Sequence, residues 1–195
     1  MRMRKVMAAA LTGLALIGLA GTASASASDS AVADYPWPPK DVTPVHKTKA
    51  ELQKQADGFS ARQQQTYPRV FRGAQNVSPG NWGGEAEGVF DDMQYMGNTV
   101  TFTYKGQNVT TYTQVNAPGQ HAWSPKEYCE VTTCTGSVSD HRGGLIVFSK
   151  YEQFGITSAR NFRPNGEVVW VQSWTPGTEA QLAAAASDRA LTFTR

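Results

Sequence analysis

The chain is poor in cysteine and histidine: only Cys129, Cys134 and three histidines occur among its 195 residues. A metal site needs more ligands than these two cysteines provide, and a redox-active pair usually has the spacing Cys-x-x-Cys, whereas four residues separate these two. In an oxidising compartment an even number of cysteines favours a disulfide. We therefore predict a structural Cys129–Cys134 disulfide and no bound metal.

The short signatures of common enzymes and cofactor sites are also missing. The sequence has no Gly-x-Ser-x-Gly elbow, no His-Glu-x-x-His, no phosphate-binding glycine loop and no dinucleotide fingerprint. We therefore expect no cofactor, and the missing motifs favour binding over catalysis.

A long hydrophobic run occurs only near the N-terminus, over residues 6–20. Arg2, Arg4 and Lys5 precede it and small residues follow, which is the layout of a secretory signal peptide. The run is short for a bilayer span, so we expect no membrane anchor. We place the cleavage after Ala27, which makes residues 1–27 a signal peptide and predicts a secreted, extracellular protein.

The basic charge of the chain belongs to this segment. Removing residues 1–27 takes away three basic residues and no acidic one, so the net charge falls from +2 to about −1. Without a basic surplus or a stripe of Lys and Arg along the sequence, a nucleic-acid partner has no electrostatic basis.

Residues 28–45 are rich in proline and lack an apolar period, which predicts an extended arm. Residues 46–195 are long enough for a single globular domain with its own core, and we expect a monomer.

Thr48 and Glu51 have the capping-box spacing, which predicts a helix over residues 49–64 that Pro68 prevents from continuing. Residues 72–85 are rich in Gly, Asn and Pro and predict a loop.

Two hairpins follow from alternating patterns. A two-residue turn at Gly106-Gln107 would place Tyr104 opposite Val109, with threonines on the water-facing side. A three-residue loop ending at Gly166 would place Arg163 opposite Glu167 as an exposed pair.

The last part of the chain predicts an alanine-rich helix and a short strand. Thr178 and Gln181 have the capping-box spacing before the helix, and residues 190–194 alternate as a strand. These elements indicate an α+β fold, with an antiparallel sheet of about five to seven strands and two helices packed on one face. Trp170 and Trp174 share a strand face with Val168, which is typical of a core beneath a helix.

The segments "NFRPNGEVVWVQSW" and "TEAQLAAAASDRALTFT" resemble the C-terminal end of many small secreted actinobacterial proteins of uncharacterised function. In these proteins an aromatic-x-Pro-Asn/Asp-Gly hairpin precedes a Thr-Glu-x-Gln-Leu helix. The resemblance covers about 35 residues. It supports the hairpin and the helix and implies no activity.

The segment "SDHRGG", residues 139–144, is the strongest candidate for chemistry. Ser139 and His141 would share one side of an extended strand and could serve a hydrolase, but Asp140 would point to the other side and no third catalytic member is evident. In a tight turn, Asp140 would instead cap local amides or pair with Arg142. We favour the turn.

The candidate binding residues are aromatic. Trp82 lies in a glycine-rich loop, where it could either fill a gap in the core or present a flat face to a ligand. Tyr35 and Trp37, in the arm, could dock on a partner or on the parent domain.

Four acidic residues complete the candidates. The pairs Asp91-Asp92 and Glu85/Glu87 could bind a cation or hydrolyse a glycan, but solvated carboxylates are the favoured interpretation.

These observations favour a secreted, non-catalytic binding or inhibitory module for an extracellular protein or a cell-wall or glycan surface. The alternatives are a small secreted hydrolase that uses His141 and a structural envelope protein.

Overall fold

An antiparallel sheet of eight strands forms the centre of the computed structural model, which describes Val32, residues 34–84 and residues 95–194. The strands are β1 (Gln75–Pro79), β2 (Gly83–Gly84), β3 (Tyr95–Tyr104), β4 (Gln107–Asn116), β5 (Thr133–Ser139), β6 (Leu145–Tyr151), β7 (Ile156–Phe162) and β8 (Val168–Ser173). The helices are α1 (Lys49–Val70), α2 (Pro125–Val131) and α3 (Glu179–Ala186), and a 3-10 turn spans Glu152–Phe154. The strand order is β1-β3-β4-β8-β7-β6-β5, and β2 also pairs with β3.

The predicted α+β class and antiparallel sheet are confirmed, but the element numbers were too low. The structure describes eight strands where five to seven were expected, and three helices where two were expected. Strands β1 and β2 lie inside residues 72–85, which we had predicted to be a loop, because backbone pairing with β3 overrides their poor strand propensity. Helix α2 was missed although Ser124 and Glu127 form a capping box at its start.

Helix α1 begins at the predicted capping box and runs past the predicted end. Thr48 accepts a hydrogen bond from the Glu51 amide, and the Glu51 carboxylate accepts one from the Thr48 amide. Pro68 lies in the last turn, where it removes one backbone hydrogen bond without ending the helix. Burial of Tyr67 against Phe71 offsets that loss, since the two rings stack with centroids 5.5 Å apart.

The contact between α1 and the sheet includes buried polar pairs. Gln63 and Asn98 exchange two side-chain hydrogen bonds, of 3.0 and 2.8 Å. The Tyr67 hydroxyl bonds the hydroxyls of Thr111 and Thr113 on β4, at 2.9 and 3.2 Å. These side chains are buried, and their mutual hydrogen bonds satisfy the groups that burial removes from water.

The β3–β4 hairpin turns one residue earlier than predicted. Lys105 and Gly106 occupy the turn with φ of 50° and 75°, and Phe102 rather than Tyr104 faces Val109. Two successive positive φ values give the twist that suits a tight hairpin, so the Lys-Gly pair was the better choice. Moving the turn by one residue shifts each pair by two, and the predicted division of side chains between the two faces therefore holds.

The β7–β8 hairpin has the predicted register. Phe162 pairs with Val168 and Arg160 pairs with Trp170, and the Arg163 amide donates to the Glu167 carbonyl at 3.0 Å. Gly166 has φ of 83°, the left-handed conformation that the loop requires. The expected exposure of Arg163 and Glu167 was wrong, because both side chains are buried beneath the turn that follows α3.

The C-terminal region contains the predicted helix but not the predicted strand. Thr178 precedes α3, yet its hydroxyl donates to the Thr175 carbonyl, so the expected capping box is absent there. Residues 190–194 form a turn and bends rather than a strand. The Thr192 hydroxyl and the Phe193 amide donate to the Glu167 carboxylate instead of to a neighbouring strand.

The two faces of the sheet carry separate hydrophobic clusters. Helices α1 and α3 contact each other and cover one face, where Leu52 and Leu182 join the larger cluster. Helix α2 and the arm lie over part of the other face, where Tyr128 packs with Phe162.

The bounds predicted for the signal peptide fall on residues outside the described part of the chain. In the part that is described, no helix combines the length and apolar character needed to cross a bilayer.

The predicted disulfide is confirmed. Cys129 in α2 bonds Cys134 in β5, with their Cα atoms 5.4 Å apart. The bridge therefore ties the helix on the second face to the edge strand of the sheet.

Candidate functional site

The "SDHRGG" segment forms a tight turn between β5 and β6. Oδ1 of Asp140 accepts hydrogen bonds from the amides of Arg142 and Gly144, both at 2.8 Å. His141 is exposed with φ of 60°, and its amide donates to the Ser139 hydroxyl at 3.0 Å. The Ser139 hydroxyl is thus bonded to the backbone of His141, and no described residue links it to the imidazole. This geometry gives a backbone-capping turn.

Tyr35 and Trp37 dock the arm on the domain. The Tyr35 hydroxyl lies 2.8 Å from the Phe162 carbonyl, to which it donates, and Trp37 donates its indole N–H to the His121 carbonyl at 3.1 Å. The Trp37 ring also packs edge-on against Phe162, with centroids 5.2 Å apart. Both side chains make intramolecular contacts, and a role in ligand binding stays a prediction for them.

Trp82 fills a gap beside α1. Its indole N–H donates to the Ser60 hydroxyl at 3.1 Å, and its ring meets Phe59 edge-on at 5.1 Å. Of the two positions considered for Trp82, the structure shows the one packed against the core.

The acidic candidates Glu85, Glu87, Asp91 and Asp92 lie outside the described residues. Among the residues that are described, no cluster of three His, Cys, Asp or Glu could hold a metal ion.

An accessible polar and aromatic surface lies on the sheet face opposite α1 and α3. We call this surface the open sheet face; it comprises the exposed or half-exposed residues Thr99, Thr101, Thr110, Tyr112, Gln114, Trp170 and Gln172 of β3, β4 and β8. No described helix packs on these strands from this side. A surface with two large rings, two amides and a row of hydroxyls combines flat apolar areas with directional hydrogen-bonding groups.

Two aromatic rings at the centre of this face are held in fixed positions. The Tyr112 and Trp170 rings meet edge-on, with centroids 5.7 Å apart. Gly97 leaves the space into which the Tyr112 hydroxyl projects, since a Cβ at Gly97 would overlap that hydroxyl. The hydroxyl donates to Oε1 of Gln114 at 3.0 Å, and burial raises the pKa of Tyr112, with the nearby Tyr95 adding to the effect. The phenol is therefore a neutral donor at physiological pH.

Arg160, the cross-strand neighbour of Trp170, stacks on its ring. Its guanidinium carbon lies 4.7 Å from the Trp170 ring centroid and 4.0 Å from that of Tyr128, so the cation is stacked between two aromatic rings. Arg160 is only 6% exposed, and no carboxylate of the described residues pairs with it. The two rings supply the electrostatic stabilisation that a carboxylate usually gives.

His121 completes this cluster as a neutral group. Burial, and then the charge of Arg160, lower the pKa of His121 to about 4. Its Nε2 lies 3.4 Å from an Arg160 Nη1 and, when unprotonated, can accept a hydrogen bond from it. Nε of Arg160 and the indole N–H of Trp170 are buried without a hydrogen-bond partner.

The prediction that Trp170 and Trp174 belong to a core beneath a helix was wrong. Trp170 is half-buried on the open sheet face, and Trp174, one residue past β8, is 47% exposed. The alternation of β8 identified their shared side, but it could not show that the helices would cover the opposite face. Arg160 was also missed as a functional residue, although the predicted pairing of Arg160 with Trp170 was a usable signal.

Comparisons of the chain with protein-family models, with curated proteins and with solved structures find no match.

Proposed function

We propose that this chain is a secreted, non-catalytic module that binds an extracellular glycan through the open sheet face. The observation that carries the proposal is the pair of positioned rings, Tyr112 and Trp170, on the part of the sheet face that lies beyond helix α2 and the arm. Trp174, one residue past the end of β8, provides a further exposed aromatic side chain. The N-terminal signal layout and the disulfide support an extracellular location.

A glycan matches this surface chemically. One side of a pyranose ring presents apolar C–H groups that pack on a flat aromatic ring, and its hydroxyl groups need both donors and acceptors. Gln172 can provide both, because its half-exposed amide makes no hydrogen bond to another described residue. Arg160 keeps the Trp170 ring in place before binding, which reduces the conformational entropy lost when a ligand binds.

A sedimentation assay with insoluble cell-wall polysaccharide tests the proposal. The mature chain should sediment with the polysaccharide, and Trp174→Ala combined with Gln172→Ala should weaken binding by about tenfold or more, through lost ring contact and hydrogen bonds. Trp123→Ala is the matched control, since Trp123 resembles Trp174 in being 50% exposed and belongs to none of the strands β3, β4 and β8, although its ring lies beside that of His121. The control variant should bind within about twofold of the wild type.

The wild type and its variants also distinguish glycan binding from binding to a protein and from hydrolysis. Recovery of one stoichiometric protein from culture fluid, with no polysaccharide binding, would replace the glycan with a protein partner. Release of soluble sugar by the wild type but not by His141→Ala would establish the hydrolase. Equal loss of binding in the Trp123 control and the Trp174 variant would remove the open sheet face as the binding surface.

A further inference from the structure

A groove on the helix side of the sheet is lined by arginines that are far apart in the sequence. It lies between the C-terminal half of α1, the end of α3 and the β5–β6 turn, and it has a volume of about 490 Å³. Its charged lining consists of Arg62, Arg69, Arg142, Asp188 and Arg189. We call it the arginine groove. The open sheet face lies on the other side of the sheet.

Most of the positive charge in the arginine groove is uncompensated. Arg62 pairs with Asp188 at 2.7 Å, which is the one ion pair among the charged lining residues of this described groove. Arg69, Arg142 and Arg189 are exposed, and their guanidinium groups have no carboxylate partner in the described part of the chain. Three free guanidinium groups therefore line one depression.

The acidic residues nearby are already engaged. A second depression of about 300 Å³ shares Arg142, Ser187 and Arg189 with the arginine groove, and it adds the carboxylates of Asp140 and Glu167. Oδ1 of Asp140 accepts two backbone amides of its own turn. The Glu167 carboxylate is buried and bonds the Arg163 guanidinium. Arg163 balances the charge of Glu167, and Asp140 forms no ion pair with Arg142 or Arg189, so its single negative charge leaves the exposed arginines in excess.

We propose that the arginine groove binds a linear polymer that carries phosphate groups but no nucleobases. Guanidinium groups form paired, charge-assisted hydrogen bonds with phosphate oxygens, and several can converge on one phosphate because it offers more acceptor oxygens than a carboxylate. Two connected depressions suit a chain better than a single ion.

Nucleic acid is the less suitable phosphate polymer for this groove. Single-stranded nucleic acid is usually held by aromatic rings that stack on its bases, in addition to basic side chains. None of the residues that line the two depressions is aromatic, and all of these lining residues belong to the described part of the chain. The groove is thus equipped for a charged backbone alone.

The helix ends limit the affinity for any single phosphate. Helices α1 and α3 both end beside the groove, and the C-terminal end of a helix carries a partial negative charge. Arg163 offsets part of this charge at α3, where it donates to the carbonyls of Ala186 and Asp188. A polymer overcomes the remaining repulsion by engaging several arginines at once.

Titration of the mature chain with short-chain inorganic polyphosphate tests this assignment. The wild type should bind, and binding should weaken as salt is raised. Arg142→Gln combined with Arg189→Gln should lower the affinity by at least about tenfold. Arg72→Gln combined with Lys126→Gln is the matched control, because it removes the same charge from two exposed residues outside the groove.

The outcomes are decisive in both directions. Binding by the wild type and the control variant, with loss in the groove variant, supports the assignment, whether or not the open sheet face binds a glycan. Absence of polyphosphate binding by the wild type, or equal loss in both double variants, overturns it. Poly-glutamate or a single-stranded oligonucleotide that binds as tightly as polyphosphate would also overturn it.

Discussion

Arg163 and Glu167 form a buried ion pair across the turn between β7 and β8, with Nη1 of Arg163 3.1 Å from Oε2 of Glu167. The Arg163 guanidinium also donates to the carbonyls of Ala186, Asp188 and Leu191, and it thereby links the hairpin to the chain that follows α3. Burial lowers the pKa of Arg163, and Glu167 opposes that shift. The pair holds the C-terminal segment against the sheet.

Replacement of Arg163 should therefore destabilise the protein strongly. Arg163→Ala leaves Glu167 charged, buried and without its cation, and the unfolding free energy should fall by about 3–5 kcal/mol. Denaturant unfolding measures the loss, with Arg72→Ala, an exposed arginine, as the control. If both variants melt alike, the buried pair has no special role in stability.

Gly166 should tolerate no β-branched residue. It has φ of 83°, and a Cβ there would lie 2.9 Å from a Val42 methyl carbon in the arm. Gly166→Val should lower the melting temperature more than Gly155→Val, because Gly155 also has positive φ but has open space around its Cβ position. Thermal melts compare the two. If Val42→Ala restores part of the melting temperature lost in Gly166→Val, the clash with the arm is a cause of the loss. If Gly166→Val and Gly155→Val lower the melting temperature equally, backbone strain is the sole cause.

His121 should make stability depend on pH. Its pKa is lowered to about 4 in the folded protein, below the usual 6.5 of histidine, so the unfolded chain binds more protons between these values. Stability from this group is complete above about pH 6.5 and is lost as the pH falls towards 4, by roughly 3 kcal/mol in total. Unfolding free energies of the wild type and His121→Gln across this range test the prediction, with His141→Gln as the control. Parallel curves for wild type and His121→Gln would contradict it.

Loss of the disulfide should have a moderate, partly local effect. Cys129 and Cys134 enclose four residues, a ring for which the loop-entropy model gives about 2 kcal/mol. The double Cys→Ser variant should lose about that much stability, and hydrogen exchange should accelerate first in α2 and β5. Uniform acceleration over the whole sheet would show that the bridge supports the global fold instead.

Local patterns predicted the elements whose ends are marked by local chemistry. The start of α1 and the register of the β7–β8 hairpin follow from Thr48 with Glu51 and from Gly166, and both were correct. The exposure of the Arg163–Glu167 pair was wrong because the segment that covers it lies more than twenty residues further along the chain. The β3–β4 turn was misplaced because Lys105 adopts a positive φ that its residue type seldom shows.

The candidate sites were less predictable than the fold, because each gathers residues from distant parts of the chain. The arginine groove brings together Arg62, Arg142 and Arg189, which lie too far apart in the sequence for any local pattern to include two of them. The open sheet face depends on which side of the sheet α1 and α3 cover. Alternation along a strand divides residues between two faces, but it does not say which face meets water.

The reciprocal hydrogen bonds between Gln63 and Asn98 define where α1 sits along its own axis. If the helix moved by one turn relative to β3, both buried amides would lose their partners, at a cost of about 1–3 kcal/mol each. Apolar contacts alone would discriminate less against such a slip, because the hydrophobic effect is not directional. The amide pair therefore selects one docked arrangement among several that the hydrophobic surface would accept, and it keeps the arginines at the end of α1 opposite those that follow α3.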